Sequence, residues 1–171
     1  MVVSDARLAS DAGVEILKSG GNAVDAAVAV GFALAVVYPE AGNLGGGGFT
    51  VVRMADGRVA AVDYRETAPQ GATRDMFVSD TGTPRQSVVG PLASGVPGSV
   101  AGLAATHQRF GSIPLARVMA PAIRLAEQGF VVDSGLAASI VRHARLIARF
   151  AGAEVFLPSG KPLAAGTTLK L

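Results

Sequence analysis

The sequence contains no cysteine and no tryptophan, and only two of its 171 residues are histidine. Without cysteine the chain forms no disulfide and offers no thiol nucleophile. Two histidines without cysteine also exclude a zinc site of the usual kind, and we predict no metal site. Both histidines, His107 and His143, fall on predicted helices, where we interpret them as packing or surface residues rather than general bases.

Charge is scarce as well, since only 16% of the residues are charged and the formal net charge is +2. The basic residues form no dense run with interleaved aromatics, so nucleic acid is not expected as a partner. The most apolar stretch, residues 26–37, is too short to span a bilayer, which takes about 20 residues. No signal peptide is visible at the N-terminus, MVVSDARLAS, which leaves a cytoplasmic location open.

Small and aliphatic residues are plentiful: half of the chain is hydrophobic and 22 residues are glycine. This composition and the chain length predict one globular domain, or part of one, with a core of close-packed helices. Two N-terminal helices are predicted. The first has Ser4 or Asp5 as its N-cap and stops at Gly20; the second has Asn22 as its N-cap, Asp25 in its first turn and Pro39 as its stop. Three more are predicted near residues 99–110, 114–128 and 134–150, with caps at Ser112 and at Asp133 or Ser134.

Between the helices, a run of four glycines leads into a predicted hairpin. Residues 45–48 lack a Cβ, which lets another chain segment or a ligand approach the backbone closely. Residues 49–54 and 59–64 read as strands around an Asp56-Gly57 turn. Both strands are apolar on both faces, which predicts a sheet that is covered on both sides. Residues 67–98 read as long irregular surface structure.

The return strand delivers Arg65 to the point where the chain leaves the sheet. An arginine flanked by Asp63 and Glu66 is most often half of a structural ion pair. The functional alternative is a guanidinium fork that binds a substrate carboxylate bidentately, oriented by those two neighbours.

Two other kinds of site find no support. The glycine run is not a phosphate loop, because no Gly-Lys-Ser/Thr follows and a strand comes next instead of a helix. Ser94 lies among glycines, but Leu92 and Val96 occupy the positions where a nucleophile elbow needs glycine.

Several long motifs in order resemble the bacterial γ-glutamyltransferases: GGNAVDAAVA, AGNLGGGGF, DYRETAP, ATRDMF, ASGVPGSVAG and PLARVMAPAIRLAEQGF. The resemblance covers essentially the whole chain and implies an α+β fold, the four-layer αββα sandwich of the N-terminal nucleophile hydrolases. Residues 1–171 would be the N-terminal portion of the large subunit, an incomplete domain without the strands of the small subunit.

The resemblance also implies a reaction: transfer of a γ-glutamyl group from glutathione, through an acyl-enzyme, to water or an amino acid. The nucleophile would be the threonine exposed at the start of the small subunit when the precursor cuts itself, and no cofactor is needed. Arg65 would bind the α-carboxylate of the γ-glutamyl group. No catalytic residue maps onto this chain, so we expect it to be inactive alone and to need that small subunit as its partner.

Two alternatives stay open. One is a glutaryl or cephalosporin-type acylase of the same superfamily, which shares the RETAP and glycine motifs. The other is a truncated binding or structural module without catalysis. By resemblance the protein is expected to be periplasmic or secreted.

Overall fold

The computed structural model describes residues 1–78 and 84–171 of the chain. Its elements, in chain order, are α1 (Arg7–Lys18), α2 (Ala23–Val37), β1 (Phe49–Arg53), β2 (Val59–Asp63), α3 (Ser99–Phe110), α4 (Leu115–Gln128), β3 (Phe130–Val131), α5 (Ser134–Ile147), α6 (Ala153–Phe156) and β4 (Thr168–Leu169). Helices and antiparallel strand pairs together make this an α+β chain, as predicted.

The residues group into two compact units, one of Met1–Asn43 with His107–Leu171 and one of Leu44–Thr106. In the first unit, α2 packs against α1 and α4. Its core is aliphatic, as the composition predicts, and includes Ile16, Val28 and Val118. The strands β3 and β4 pair with Phe130 opposite Leu169.

The helix caps agree with the sequence in two cases. Asn22 begins α2 with a capping box, its Oδ1 accepting from the Val24 and Asp25 N–H groups at 2.8 and 3.0 Å. Asp133 caps α5 by accepting from the Leu136 N–H. Gly20, at φ +92°, ends α1 as expected.

Two predicted caps are wrong. The N-cap of α1 is Ala6, and the Ser4 hydroxyl instead contacts the Ala6 carbonyl and the Ser10 hydroxyl. The N-cap of α4 is Pro114, because Ser112 gives its hydroxyl to Asp25.

The second unit holds the predicted hairpin, with β1 and β2 antiparallel and Val51 opposite Ala61. Gly57 occupies the left-handed region of the turn at φ +88°. One face of this sheet is exposed, with exposed fractions of 66% at Phe49, 76% at Val51 and 69% at Val59. The prediction that both faces are covered is therefore wrong for this chain.

The predicted irregular segment, residues 67–98, holds an isolated bridge between Thr67 and Val96 and short 3-10 turns at Pro84–Ser87 and Pro91–Ala93. The part of that prediction that falls on residues 79–83 lies outside the described residues. Among the helices of residues 1–78 and 84–171, none has the length and apolar character needed to cross a membrane.

Candidate functional site

Arg65 lies two residues beyond the end of β2, with its side chain 61% exposed. Its backbone N–H donates to Asp63 Oδ1 at 2.9 Å. Asp63 therefore holds the backbone of the turn and does not orient the guanidinium, which corrects half of the sequence prediction.

Glu66 is the carboxylate that faces the guanidinium. Its Oε2 lies 3.4 Å from Arg65 Nε, close enough for an ion pair. The same oxygen is buried and has no hydrogen bond within the described residues. Arg65 is thus held along one edge, and in that part of the chain no other ion pair or hydrogen bond engages its guanidinium. Within residues 1–78 and 84–171, nothing occupies the terminal nitrogens, which suits them to binding a carboxylate.

The glycine run packs directly against the backbone that carries this arginine. A Cβ at Gly47 would lie 2.5 Å from the Tyr64 carbonyl oxygen and 2.8 Å from Arg65 Cα. The backbones of Gly48 and Tyr64 exchange hydrogen bonds of 3.0 and 3.3 Å. The prediction that these glycines admit another chain segment is confirmed for Gly47 and Gly48, where the segment is residues 64–66, whereas Gly45 has nothing within 4 Å.

A second set of glycines approaches the same segment from residues 95–102. A Cβ at Gly98 would overlap the Tyr64 carbonyl, and one at Gly102 would overlap the Tyr64 ring. Gly95 lies against Glu66, where a Cβ would come within 2.9 Å of the Glu66 Cβ. We call these five residues the glycine cradle: Gly47, Gly48, Gly95, Gly98 and Gly102.

Hydrogen bonds join the two sides of the glycine cradle. The Gly46 carbonyl accepts from the backbone N–H groups of Gly98 and Ser99 at 2.8 and 2.9 Å. The Tyr64 hydroxyl lies 3.1 Å from the Thr50 hydroxyl on β1. The backbone on both sides of Arg65 is therefore fixed, while its guanidinium is exposed.

A separate polar cluster surrounds Asp25 at the start of α2. Asp25 is fully buried and accepts from the Asn22 N–H at 2.8 Å, the Ser112 hydroxyl at 2.6 Å and the Ser112 N–H at 3.1 Å. Burial alone would raise the pKa of Asp25, but these hydrogen bonds outweigh it and hold the pKa below its usual value. His107 Nε2 lies 3.4 Å from Asp25 Oδ1 and 2.7 Å from the Ile113 carbonyl.

The contacts of this cluster hold parts of the fold together. It joins the α2 cap to the loop after α3, since the Asn22 side chain also donates to the Phe110 carbonyl at 2.7 Å. His143 likewise contacts its own helix, with Nδ1 3.0 Å from the Ser139 carbonyl. The interpretation of both histidines as packing residues agrees with these contacts.

The sequence of the whole chain decides its family. Residues 9–171 match the family model of gamma-glutamyltranspeptidase. The chain belongs to the gamma-glutamyltranspeptidase family. The three motifs that build the site lie within the matched residues: the glycine run, DYRETAP and ASGVPGSVAG.

Several curated relatives of the chain are named glutathione hydrolase proenzymes. The Escherichia coli protein is 47% identical over 99% of the chain, and that of Bacillus subtilis is 43% identical over the same share. An acylase ACY 1 proenzyme from a Pseudomonas species is also 47% identical. The chain spans about 30% of the length of these relatives.

Solved structures support the same family assignment. The Helicobacter pylori gamma-glutamyltranspeptidase is 40% identical with a TM-score of 0.95, covering 99% of this chain and 50% of that one. The Pseudomonas nitroreducens enzyme, solved in complex with L-DON, is 41% identical over the same shares, with a TM-score of 0.88. A cephalosporin acylase from Bacillus halodurans is 31% identical with a TM-score of 0.83, covering 95% of this chain and 32% of that one.

Sequence reasoning missed three of the five residues of the glycine cradle, Gly95, Gly98 and Gly102. Residues 93–102, ASGVPGSVAG, carry three glycines within eight positions, and that spacing was the available signal. Nothing in it indicates which segment the glycines contact, because Tyr64 lies more than 30 residues earlier in the chain.

Proposed function

We propose that the chain is part of an enzyme that transfers or hydrolyses the γ-glutamyl group of glutathione and related γ-glutamyl amides, with Arg65 binding the substrate α-carboxylate. The observation that carries this proposal is an exposed guanidinium on a fixed backbone, paired along one edge with Glu66. A guanidinium presents two parallel N–H donors to a carboxylate, which a lysine ammonium cannot copy.

The chemical step needs groups that Arg65 does not supply. The proposal places the nucleophile, a threonine with its own α-amino group as base, in the small subunit of the same precursor. Attack on the γ-carbonyl carbon releases the amine and leaves an acyl-enzyme, which water or an amino acid then cleaves. In this reaction Arg65 orients the acyl group, and the chain by itself performs no turnover.

The same proposal accounts for the exposed face of the hairpin. Phe49, Val51 and Val59 form an apolar surface that a further layer of an αββα sandwich would cover. The Escherichia coli relative, which matches 99% of this chain, is more than three times as long. Its additional residues are enough to form such a layer. A periplasmic or secreted location remains an expectation from the family resemblance.

The test replaces Arg65 in the full-length protein and compares two anilides. γ-Glutamyl p-nitroanilide carries the α-carboxylate, whereas 4-aminobutyryl p-nitroanilide keeps the amino group and lacks that carboxylate. We define the carboxylate selectivity as kcat/KM for the first divided by kcat/KM for the second. Arg65→Lys is expected to lower it by about tenfold to a hundredfold, the worth of a charge-assisted hydrogen bond.

Arg58→Lys is the matched control, since Arg58 is exposed on the same hairpin and, among the described residues, its guanidinium pairs only with Asp56 at the turn. It should leave the carboxylate selectivity unchanged. An equal loss on both anilides from Arg65→Lys would contradict the assigned role.

The second candidate is an acylase that removes glutaryl groups, favoured by the identity to acylase ACY 1. A glutaryl group keeps the terminal carboxylate and lacks the α-amino group, so both activities would use Arg65. Comparing γ-glutamyl and glutaryl p-nitroanilide on the unchanged enzyme separates the two candidates.

A non-catalytic module would instead require the coding sequence to stop soon after Leu171, which sequencing the gene decides.

A further inference from the structure

We propose that Gly47 is a positioning residue for Arg65: its missing Cβ sets where the arginine backbone, and therefore the guanidinium, lies. This inference rests on the proposed function of Arg65. It assigns to one glycine of the run a role in substrate selectivity that is distinct from the conformational freedom of glycine.

The evidence is the set of atoms that a Cβ at Gly47 would meet. All three are backbone atoms: the Tyr64 carbonyl oxygen at 2.5 Å, and Arg65 Cα and the Glu66 nitrogen at 2.8 Å. Carbon atoms in ordinary contact keep a separation of about 3.5–4.0 Å. No side-chain rotation relieves this overlap, so an alanine must change the separation between the backbone at position 47 and the segment that carries the arginine.

The segment also has little room to withdraw. Gly98 approaches the same Tyr64 carbonyl, and Gly102 approaches the Tyr64 ring, so closely that neither admits a Cβ. The Gly46 carbonyl ties the glycine run to these residues through its hydrogen bonds to Gly98 and Ser99. A push from position 47 therefore moves the arginine backbone rather than being absorbed by a cavity.

The glycine run provides its own control. A Cβ at Gly45 would meet nothing within 4 Å, and Gly45 does not have a positive φ. Gly45→Ala and Gly47→Ala thus make the same chemical change two residues apart, and only the second change reaches Arg65. If the run served only as a flexible connection, the two variants would behave alike.

The experiment measures the carboxylate selectivity of the full-length enzyme with the two anilides. Because it is a ratio, it does not depend on how much of a preparation is folded and active. Gly47→Ala is expected to lower the selectivity by about tenfold to a hundredfold, as a misplaced binding group does. Gly45→Ala is expected to leave it at the parent value.

A milder variant covers the case in which Gly47→Ala does not fold. Gly95→Ala brings a Cβ within 2.9 Å of the Glu66 Cβ, so it shifts the partner of the Arg65 guanidinium. It is expected to lower the selectivity by a smaller factor. Unchanged selectivity in the alanine variants that fold would overturn the inference.

Arg65→Lys in the same assay separates the two claims. If Arg65→Lys lowers the selectivity and Gly47→Ala does not, the positioning role fails while the proposed function stands. If Arg65→Lys leaves the selectivity unchanged, the proposed function itself fails.

Discussion

Asp25 is fully buried, and yet its carboxylate accepts hydrogen bonds from three groups, the Asn22 N–H and the N–H and hydroxyl of Ser112. The sequence predicts one of them, because Asn22 and Asp25 are three residues apart at a helix start and form a capping box. The other two donors belong to Ser112, which lies 87 residues after Asp25 in the chain. A sequence pattern reports local spacing, so it does not reveal that partner.

Replacing Asp25 with Asn tests what this carboxylate contributes. The amide oxygen accepts without charge and the amide nitrogen faces donors, so we expect the free energy of unfolding to fall by about 2–3 kcal/mol. Urea titration at neutral pH measures it. Asp11→Asn is the control, because Asp11 is exposed and Arg7 is its one ion-pair partner within residues 1–78 and 84–171. It should change the free energy of unfolding by less than about 0.5 kcal/mol.

The Asp25 effect should depend on pH in one direction. The folded-state pKa lies below the usual value of 3.8, so the stabilisation is complete above that value and is lost as pH falls through the folded-state pKa. The difference between the parent and Asp25→Asn should therefore be larger at pH 7 than at pH 3. The titratable group facing the carboxylate is His107. An identical difference at both pH values would contradict this account.

The hairpin is the element that the sequence predicts best, because its turn chemistry is local. Asp56-Gly57 requires a left-handed glycine, and Gly57 has φ +88°. The strand ends fall within a residue or two of the expected positions. The starts of α1 and α4 are predicted less well, because Ser4 and Ser112 find other partners and do not cap them.

Gly57→Ala is expected to destabilise the hairpin by about 1 kcal/mol, since an alanine is strained at positive φ although nothing lies within 4 Å of its Cβ. Amide exchange in peptides covering residues 49–64 should then become about fivefold faster. Gly71→Ala is the control, because Gly71 is equally open and lacks a positive φ. Equal acceleration in both variants would show that strain at the turn is not the cause.

At the scale of the whole molecule, the family and the α+β class follow from the sequence, but the surroundings of the sheet do not. Apolar residues on both faces predict two covering layers. In this chain Phe49, Val51 and Val59 are exposed together on one face. A hydrophobic pattern records which residues are selected for burial, and it does not say which segment covers them.

That exposed face predicts how the 171-residue chain behaves by itself. A contiguous apolar surface on a two-stranded sheet favours association, so we expect sedimentation velocity to show oligomers or aggregates. Replacing both Val51 and Val59 with Thr keeps β-branched residues in the strands and should shift the chain toward monomer. Val131→Thr, at an exposed strand position of β3, should not. A stable monomer of the unchanged chain would contradict the proposal that a further layer covers this face.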